Sequence, residues 1–188
     1  GGSNLAGLMF PFLGQQLRGG QKIDIIGCEP LSCPSFTKGR YAYDHGDMAR
    51  MTPLIKMHTL GSDFLPPANH SGGLRYHGMS YHLSHLYDLG LMRAKAYGQK
   101  ECFEAGVIFG KEEGIIPAPE GNHAVKGAID AALECKAKGV SKTILFNLCG
   151  HGHFDMTAYD DYFSGKLADD FYDEETANQS LSKLPEVG

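Results

Sequence analysis

Apolar and polar residues follow two different periods along this chain, and together they predict strands and helices in succession. Short apolar runs at residues 22–27 and 143–146 predict buried strands, because their length and β-branched side chains are typical of strands. Helices are predicted at residues 5–10, 82–92 and 99–113. Alternating strands and helices favour an α/β fold, in which helices are layered on a sheet.

The clearest helical pattern lies between residues 125 and 133. Apolar side chains recur there at i, i+3, i+4, i+7 and i+8, at Val125, Ala128, Ile129, Ala132 and Leu133. This spacing places them in one stripe on a helix, which Gly139 is suited to end. Because the strand predicted at 143–146 follows after a short turn, the two segments predict a helix-to-strand unit.

Residues 30–71 predict a long and mostly irregular stretch. Prolines interrupt it at positions 30, 34, 53, 66 and 67, together with many glycines and polar residues. So long an irregular stretch in a compact protein is usually functional or covers another surface.

Composition narrows the class of protein. The chain has 188 residues, of which 42% are hydrophobic and 21% charged, so it reads as one globular domain or a large part of one. Its net charge of −5 and its scattered lysines and arginines argue against a nucleic-acid partner. No apolar run approaches the roughly 18 residues that a membrane span needs. Five cysteines without a Cys-x-x-Cys pair suit a reducing compartment, so we expect a soluble, cytoplasmic protein.

Two polar clusters carry the candidate chemistry. Gly1-Gly2-Ser3-Asn4 runs directly into a predicted helix, where Ser3 and Asn4 can cap the helix and its free N–H groups favour a phosphate. The second cluster, residues 146–152, follows a predicted strand and places polar side chains at its end. Open α/β sheets bind ligands at such strand ends.

In order and spacing, these clusters resemble the C-terminal half of a tryptophan synthase beta chain. The similarity is carried by Gly1-Gly2-Ser3-Asn4, by residues 113–120 and by Asn147-Leu148-Cys149-Gly150-His151-Gly152. Residues 44–47, Asp-His-Gly-Asp, and 72–78, Gly-Gly-Leu-Arg-Tyr-His-Gly, are more similar to the second, standalone type of beta chain. Motifs that match separately and in register are more specific than any single one.

The resemblance implies a pyridoxal-phosphate (PLP) lyase of fold type II, with a three-layer αβα sheet. Such an enzyme makes L-tryptophan by β-replacement, in which L-serine loses its hydroxyl group and indole takes its place. It also implies the cofactor-binding residues: Gly1, Gly2, Ser3 and Asn4 at the phosphate, Glu120 beside the ring, and Cys149 facing the pyridine nitrogen. Cys149 stands where the family usually has serine, and a thiol is a weaker hydrogen-bond donor than a hydroxyl.

The substrate side departs from the type of beta chain that pairs tightly with an alpha subunit. Arg75 stands where that type carries an aspartate, and this departure admits O-phosphoserine as an alternative donor. The resemblance further implies a homodimer, a weak alpha-subunit partner and a monovalent cation.

The family's Schiff-base lysine lies in a His-Lys-x-Asn context before the phosphate loop, and no lysine here has that context. The resemblance therefore implies that residues 1–188 are the C-terminal part of a longer catalytic chain. No catalytic residue is expected within them, and we expect them to be inactive alone.

Alternative functions remain at this point. Another fold type II lyase, such as a serine/threonine dehydratase or a threonine synthase, would share much of the cofactor site. His151, His153 and Asp155 follow an apolar run as zinc ligands do in some hydrolases, which gives an alternative from a different class. A third alternative is that these residues form only a folding or interaction module.

Overall fold

A computed structural model describes residues 1–169 and 171–187 of the chain. Within these residues the helices are α1 (Ser3–Leu17), α2 (Tyr81–Asp88), α3 (Gln99–Glu113), α4 (Pro119–Lys138), α5 (Met156–Phe163) and α6 (Glu174–Leu181). The strands are β1 (Ile26–Pro30), β2 (Arg40–His45), β3 (Leu54–Thr59) and β4 (Arg93–Tyr97). The α/β class expected from the sequence is confirmed.

Strands β1 and β4 form a parallel pair, in the register Ile26 to Arg93 and Pro30 to Tyr97. Helix α4 packs against both β1 and α3, so one helical layer covers this pair. Strand β1 begins later than the predicted residues 22–27. Strand β4 was not predicted, because its residues, Arg-Ala-Lys-Ala-Tyr, lack an apolar run.

Helix α4 confirms the stripe between residues 125 and 133. It begins with Pro119 in its first turn, and Gly139 ends it in the left-handed conformation at φ 63°. Helix α3 covers the predicted residues 99–113. Helix α2 ends at Asp88, short of the predicted 92, because Gly90 adopts a positive φ of 69° just before β4.

The expectation of an irregular chain between residues 30 and 71 is wrong in part. Strands β2 and β3 form an antiparallel hairpin there, with Arg40 opposite Thr59 and His45 opposite Leu54. The last three residues of β3, Met57, His58 and Thr59, are all buried, and β-branched and aromatic residues in the two strands favour this pairing.

The strand predicted at residues 143–146 is also wrong, since this segment has no regular secondary structure. A strand needs a neighbour to accept and donate its backbone hydrogen bonds. Among the residues that the structure describes, β1 pairs with β4 and β2 with β3, and none of them pairs with this segment. The Leu145 side chain is consequently 61% exposed.

The largest apolar core lies between α1, α2 and the β1–β4 pair. Its buried members are Met9, Leu13, Ile25, Phe36, Leu83 and Met92. This core holds the start of α1 against the start of α2, and the start of α1 is part of the candidate site described below. Over the described part of the chain, no helix is both long and apolar enough to span a membrane.

Candidate functional site

The N-terminus of α1 is open to an anion. Gly2 is the residue that precedes the helix, and no side chain caps it, so the capping expected of Ser3 and Asn4 is wrong. The first turn carries no acidic residue, and both Ser3 and Asn4 are exposed. Free N–H groups and the helix dipole at such an end favour a phosphate or carboxylate group.

Gly2 has a structural reason to be glycine. Its φ is 106°, a conformation that residues with a side chain rarely adopt. A Cβ atom there would lie 2.5 Å from Leu83 Cδ1 and 2.7 Å from Met79 Sδ. The backbone before α1 is therefore packed closely against Leu83 in α2 and against Met79, two residues before α2 begins.

Main-chain hydrogen bonds tie this start to residues 78–80. The Gly1 nitrogen donates to the Gly78 carbonyl at 3.0 Å, and the Ser80 N–H donates to the Gly1 carbonyl at 2.9 Å. Sequence reasoning singled out Gly78 only as part of a motif and did not place it beside the phosphate loop.

The two polar clusters noted in the sequence meet in the structure. Asn147 Nδ2 donates to Asn4 Oδ1 at 2.7 Å, although the two residues are 143 positions apart. The end of the 143–147 segment thus reaches the first turn of α1.

Glu120 lies in the first turn of α4 and points to the 72–78 motif. Its Oε1 atom accepts a hydrogen bond from the Gly73 N–H at 2.8 Å. A Cβ atom on Gly73 would lie 3.2 Å from the same oxygen, so glycine permits this approach. The contact joins the motif of residues 113–120 to the motif of residues 72–78.

Cys149 is half-buried, and its backbone packs on the start of α4. A Cβ atom on Gly121 would lie 3.3 Å from the Cys149 carbonyl oxygen. Further along, the Gly152 N–H donates to the Ile116 carbonyl at 2.8 Å. Residues 149–152 therefore run beside residues 116–121, which also carry Glu120.

Arg75 is exposed within the 72–78 motif. Its Nη2 atom donates to the Pro66 carbonyl at 2.8 Å, which holds the guanidinium group against the backbone at Pro66. The structure therefore places Arg75 two residues from Gly73, on the same loop that reaches Glu120.

A buried polar layer lies beneath the start of α4, and sequence reasoning missed it. Asn122 Nδ2 donates to the Tyr159 hydroxyl at 3.1 Å, and that hydroxyl donates to the Pro117 carbonyl at 2.6 Å. Burial lowers the pKa of the adjacent His123, which favours its neutral form. These residues fix the turn that precedes Glu120.

The structure does not support the alternative of a zinc hydrolase. The His151 and His153 rings contact each other, with centroids 4.9 Å apart, and both residues are exposed. Across residues 1–169 and 171–187, no group of three or more His, Cys, Asp and Glu side chains is placed to hold a metal ion. His151, His153 and Asp155 therefore do not form such a group.

Comparison with known proteins gives a consistent result. No family model matches the chain. It is 58% identical over 167 residues to a tryptophan synthase beta chain 2 of Methanosarcina mazei, covering 89% of this chain and 38% of the relative. The tryptophan synthase beta chain 2 of Aquifex aeolicus is 56% identical over 172 residues, with coverage of 90% and 40%. The tryptophan synthase beta chain of Pyrococcus horikoshii is 50% identical over 185 residues, with coverage of 98% and 40%.

The chain thus spans about two fifths of the length of these curated relatives, at 38% and 40% coverage. Identity of 50% to 58% extends over 89% to 98% of its own residues. Over the matched residues, the chain belongs to the tryptophan synthase beta chain family.

Proposed function

We propose that the protein carrying this chain is a PLP-dependent lyase that makes L-tryptophan from indole and L-serine or O-phosphoserine. One observation carries the proposal beyond the names of the relatives. Segments distant in sequence meet at the N-terminal ends of α1 and α4, through the Asn4–Asn147 and Gly73–Glu120 hydrogen bonds. This convergence fits a single site to which several motifs contribute.

In this proposal residues 1–188 are the C-terminal part of the catalytic chain, and the Schiff-base lysine lies in another part of it. The complete sheet is then a three-layer αβα arrangement of fold type II, and the protein is a cytoplasmic homodimer. None of the described strands pairs with the apolar segment at residues 143–146, and this supports the proposal, since an additional strand beside the segment would satisfy its backbone groups.

The residues present fit the cofactor. The uncapped first turn of α1, after the positive φ of Gly2, would hold the phosphate through backbone N–H groups. Glu120 would stand beside the ring, while Cys149 would face the pyridine nitrogen as a neutral partner. When bound, PLP supplies an electron sink for chemistry at the carbons of the amino acid.

A neutral partner leaves the pyridine nitrogen largely without a proton, whereas a carboxylate would favour its protonated form. Cys149 would in this way moderate the withdrawal of electrons and favour replacement at the β carbon. Arg75 would meet the donor, and its positive charge suits a phosphate leaving group. A monovalent cation and a weakly bound alpha subunit complete the proposal.

The natural gene product that contains this sequence provides the test. We expect it to be substantially longer than 188 residues and to form tryptophan from indole and L-serine or O-phosphoserine only when PLP is supplied. The 188-residue chain alone should form none. Release of a 2-oxo acid from serine or threonine without tryptophan would instead indicate a dehydratase.

Substitutions at Cys149 distinguish a role at the pyridine nitrogen from a role in packing alone. Cys149→Ser retains a neutral donor and should preserve tryptophan formation, while Cys149→Asp should slow it and alter the visible absorbance of the bound cofactor. Equal rates and spectra in both variants would contradict the placement of Cys149 at the pyridine nitrogen.

A further inference from the structure

Two motifs that marked the family resemblance lie against each other in the structure. The first is residues 44–47, where β2 ends and the loop to β3 begins, which we call the hairpin tip. The second is residues 72–78. The Tyr76 hydroxyl donates to the Gly46 carbonyl, and His77 Nε2 lies 2.9 Å from the His45 carbonyl oxygen. Both bonds run from side chains of the 72–78 motif to the hairpin backbone.

A buried carboxylate stands behind these bonds. Asp44 is fully buried, and its Oδ2 atom accepts from the Thr59 hydroxyl at 2.7 Å. Its Oδ1 atom accepts from the His45 N–H at 2.8 Å, and His77 Nε2 lies 3.9 Å from Oδ2. Because a buried carboxylate is costly without donors, this arrangement resists rearrangement of the hairpin tip.

The backbone adds further bonds between the two elements. The Leu60 N–H donates to the His77 carbonyl at 2.8 Å, and the Met79 N–H donates to the His58 carbonyl at 2.9 Å. Residues 77–79 therefore pair with the end of β3 through an isolated antiparallel bridge between Thr59 and Gly78. The chain from 72 to 80 is held by the hairpin along its second half.

Both ends of this loop reach the proposed cofactor site. Gly73 donates to Glu120 at one end, while Gly78 and Ser80 bond to the backbone of Gly1 at the other. Arg75 lies between these ends. A shift of the loop would therefore move Arg75 relative to both Glu120 and the start of α1.

We propose that the hairpin tip is a positioning device, formed by Asp44, His45 and Gly46 together with Tyr76 and His77. It fixes the 72–80 loop between the start of α1 and Glu120, and thereby sets the position of Arg75 toward the amino-acid donor. The first claim, that the hairpin tip holds the loop, does not depend on which reaction the protein catalyses. The second claim, that the loop positions Arg75 toward the donor, rests on the proposed function.

The test uses Tyr76→Phe in the natural gene product, because losing one hydroxyl is a mild change. Tyr43→Phe is the matched control: it removes a hydroxyl from the same hairpin, where the Tyr43 side chain is 40% exposed. Amide hydrogen exchange of residues 73–76 should be about threefold to tenfold faster in Tyr76→Phe, the factor that one hydrogen bond is worth. Tyr43→Phe should leave it unchanged.

Steady-state kinetics provide the second measurement. In Tyr76→Phe the KM for the donor should rise by a similar factor with a smaller change in kcat, and the ratio of kcat/KM for O-phosphoserine and L-serine should move toward one. A variant that merely weakened the fold would lower the unfolding midpoint without shifting this ratio.

The two measurements separate the proposals. Unchanged exchange in Tyr76→Phe overturns the positioning device, even if tryptophan is formed. Faster exchange with an unchanged donor ratio overturns its role toward Arg75. Faster exchange in a gene product that makes no tryptophan supports the device as the holder of the loop and overturns the proposed function instead. Asp44→Asn, which removes the buried charge, should change exchange in the same direction as Tyr76→Phe.

Discussion

Two segments bring candidate residues to the ends of α1 and α4, and they are held in different ways. The 72–80 loop is bonded through its backbone to β3, to Gly1 and to Glu120. The 143–150 segment reaches Asn4 through one exposed side-chain bond, and its backbone packs on Gly121. In the first segment, main-chain bonds to β3 and Gly1 are added to the side-chain bonds of Glu120 and Tyr76, whereas the second segment depends on side chains and packing.

The contrast extends to burial. Leu60, beside the anchored loop, is 0% exposed, whereas Leu145 in the other segment is 61% exposed. Both are leucines, so their surroundings and not their residue type decide the difference. An apolar run becomes a buried strand only where a neighbouring strand or layer covers it.

The largest expected effect is at the anchor of the first segment. Thr59→Val retains the shape of the side chain but leaves the buried Asp44 carboxylate without the donor that lies 2.7 Å away. We expect a loss of about 2–3 kcal/mol in the free energy of unfolding, as for buried hydrogen bonds to charged groups. Urea unfolding followed by circular dichroism measures it.

Thr52→Val is the matched control on the same hairpin. Thr52 Oγ1 donates to Asp47 Oδ1 at 2.8 Å, but both groups are reached by solvent, which can replace the bond. Thr52→Val should therefore change the free energy of unfolding by no more than about 0.5 kcal/mol. Equal losses in the two variants would show that burial of Asp44 does not set the strength of this anchor.

The second effect concerns the start of α4, on which the 143–150 segment packs. Burial lowers the pKa of His123 below its usual value, and within the described residues its Nε2 atom has no hydrogen-bond partner. Near pH 6.5, His123 therefore binds a proton in the unfolded chain but remains neutral in the folded chain. Stability should fall as the pH drops below about 6.5, by at most about 1.4 kcal/mol per pH unit from this residue.

Unfolding free energies at pH 7.5, 6.5 and 5.5 test this, with His123→Gln as the comparison. The variant keeps a polar group but has no proton to take up in this range, so its pH dependence should be weaker than that of the unchanged chain. His58, whose pKa burial also lowers, contributes to the slope that remains in both proteins. Identical slopes would mean that His123 is accessible to protons in the folded state.

The sequence predicted the parts of the fold that depend on local pattern. Helix α4 was predicted from its stripe and from Gly139, and α3 was predicted at residues 99–113. The hairpin was missed because the prolines in and around it, such as Pro53 between β2 and β3, suggested a loop. The strand at 143–146 was predicted from apolar residues alone, and pairing is not a local property.

The candidate site divides in the same way. Residues 1–4 and 146–152 were identified as clusters, and the structure brings them together at Asn4 and Asn147. The Gly73–Glu120 bond and the support from Asp44 could not be predicted, because they depend on the path of the chain between its elements. The available signal was the resemblance, which had singled out residues 44–47 together with residues 72–78.

A smaller effect is expected where the two clusters meet. The bond between Asn147 and Asn4 is exposed, so the coupling energy between Asn4→Ala and Asn147→Ala should be about 0.5 kcal/mol in a double-mutant cycle. Urea unfolding of the two single variants and the double variant provides the measurement. A coupling energy above about 1.5 kcal/mol, the upper range for one neutral hydrogen bond, would show that the segment is held as firmly as the 72–80 loop.

The smallest effect is expected at Leu145, and it gives the sharpest test of the comparison. With its side chain 61% exposed, Leu145→Ser should change the unfolding free energy of the 188-residue chain by less than about 0.5 kcal/mol. Leu60→Ser, at a fully buried position, should cost several times more. In the natural gene product a further strand would cover residues 143–146, so Leu145→Ser should there approach the cost of a buried leucine. If Leu145→Ser is equally mild in both proteins, the segment is exposed in the natural gene product as well, and the difference between the two segments belongs to the fold itself.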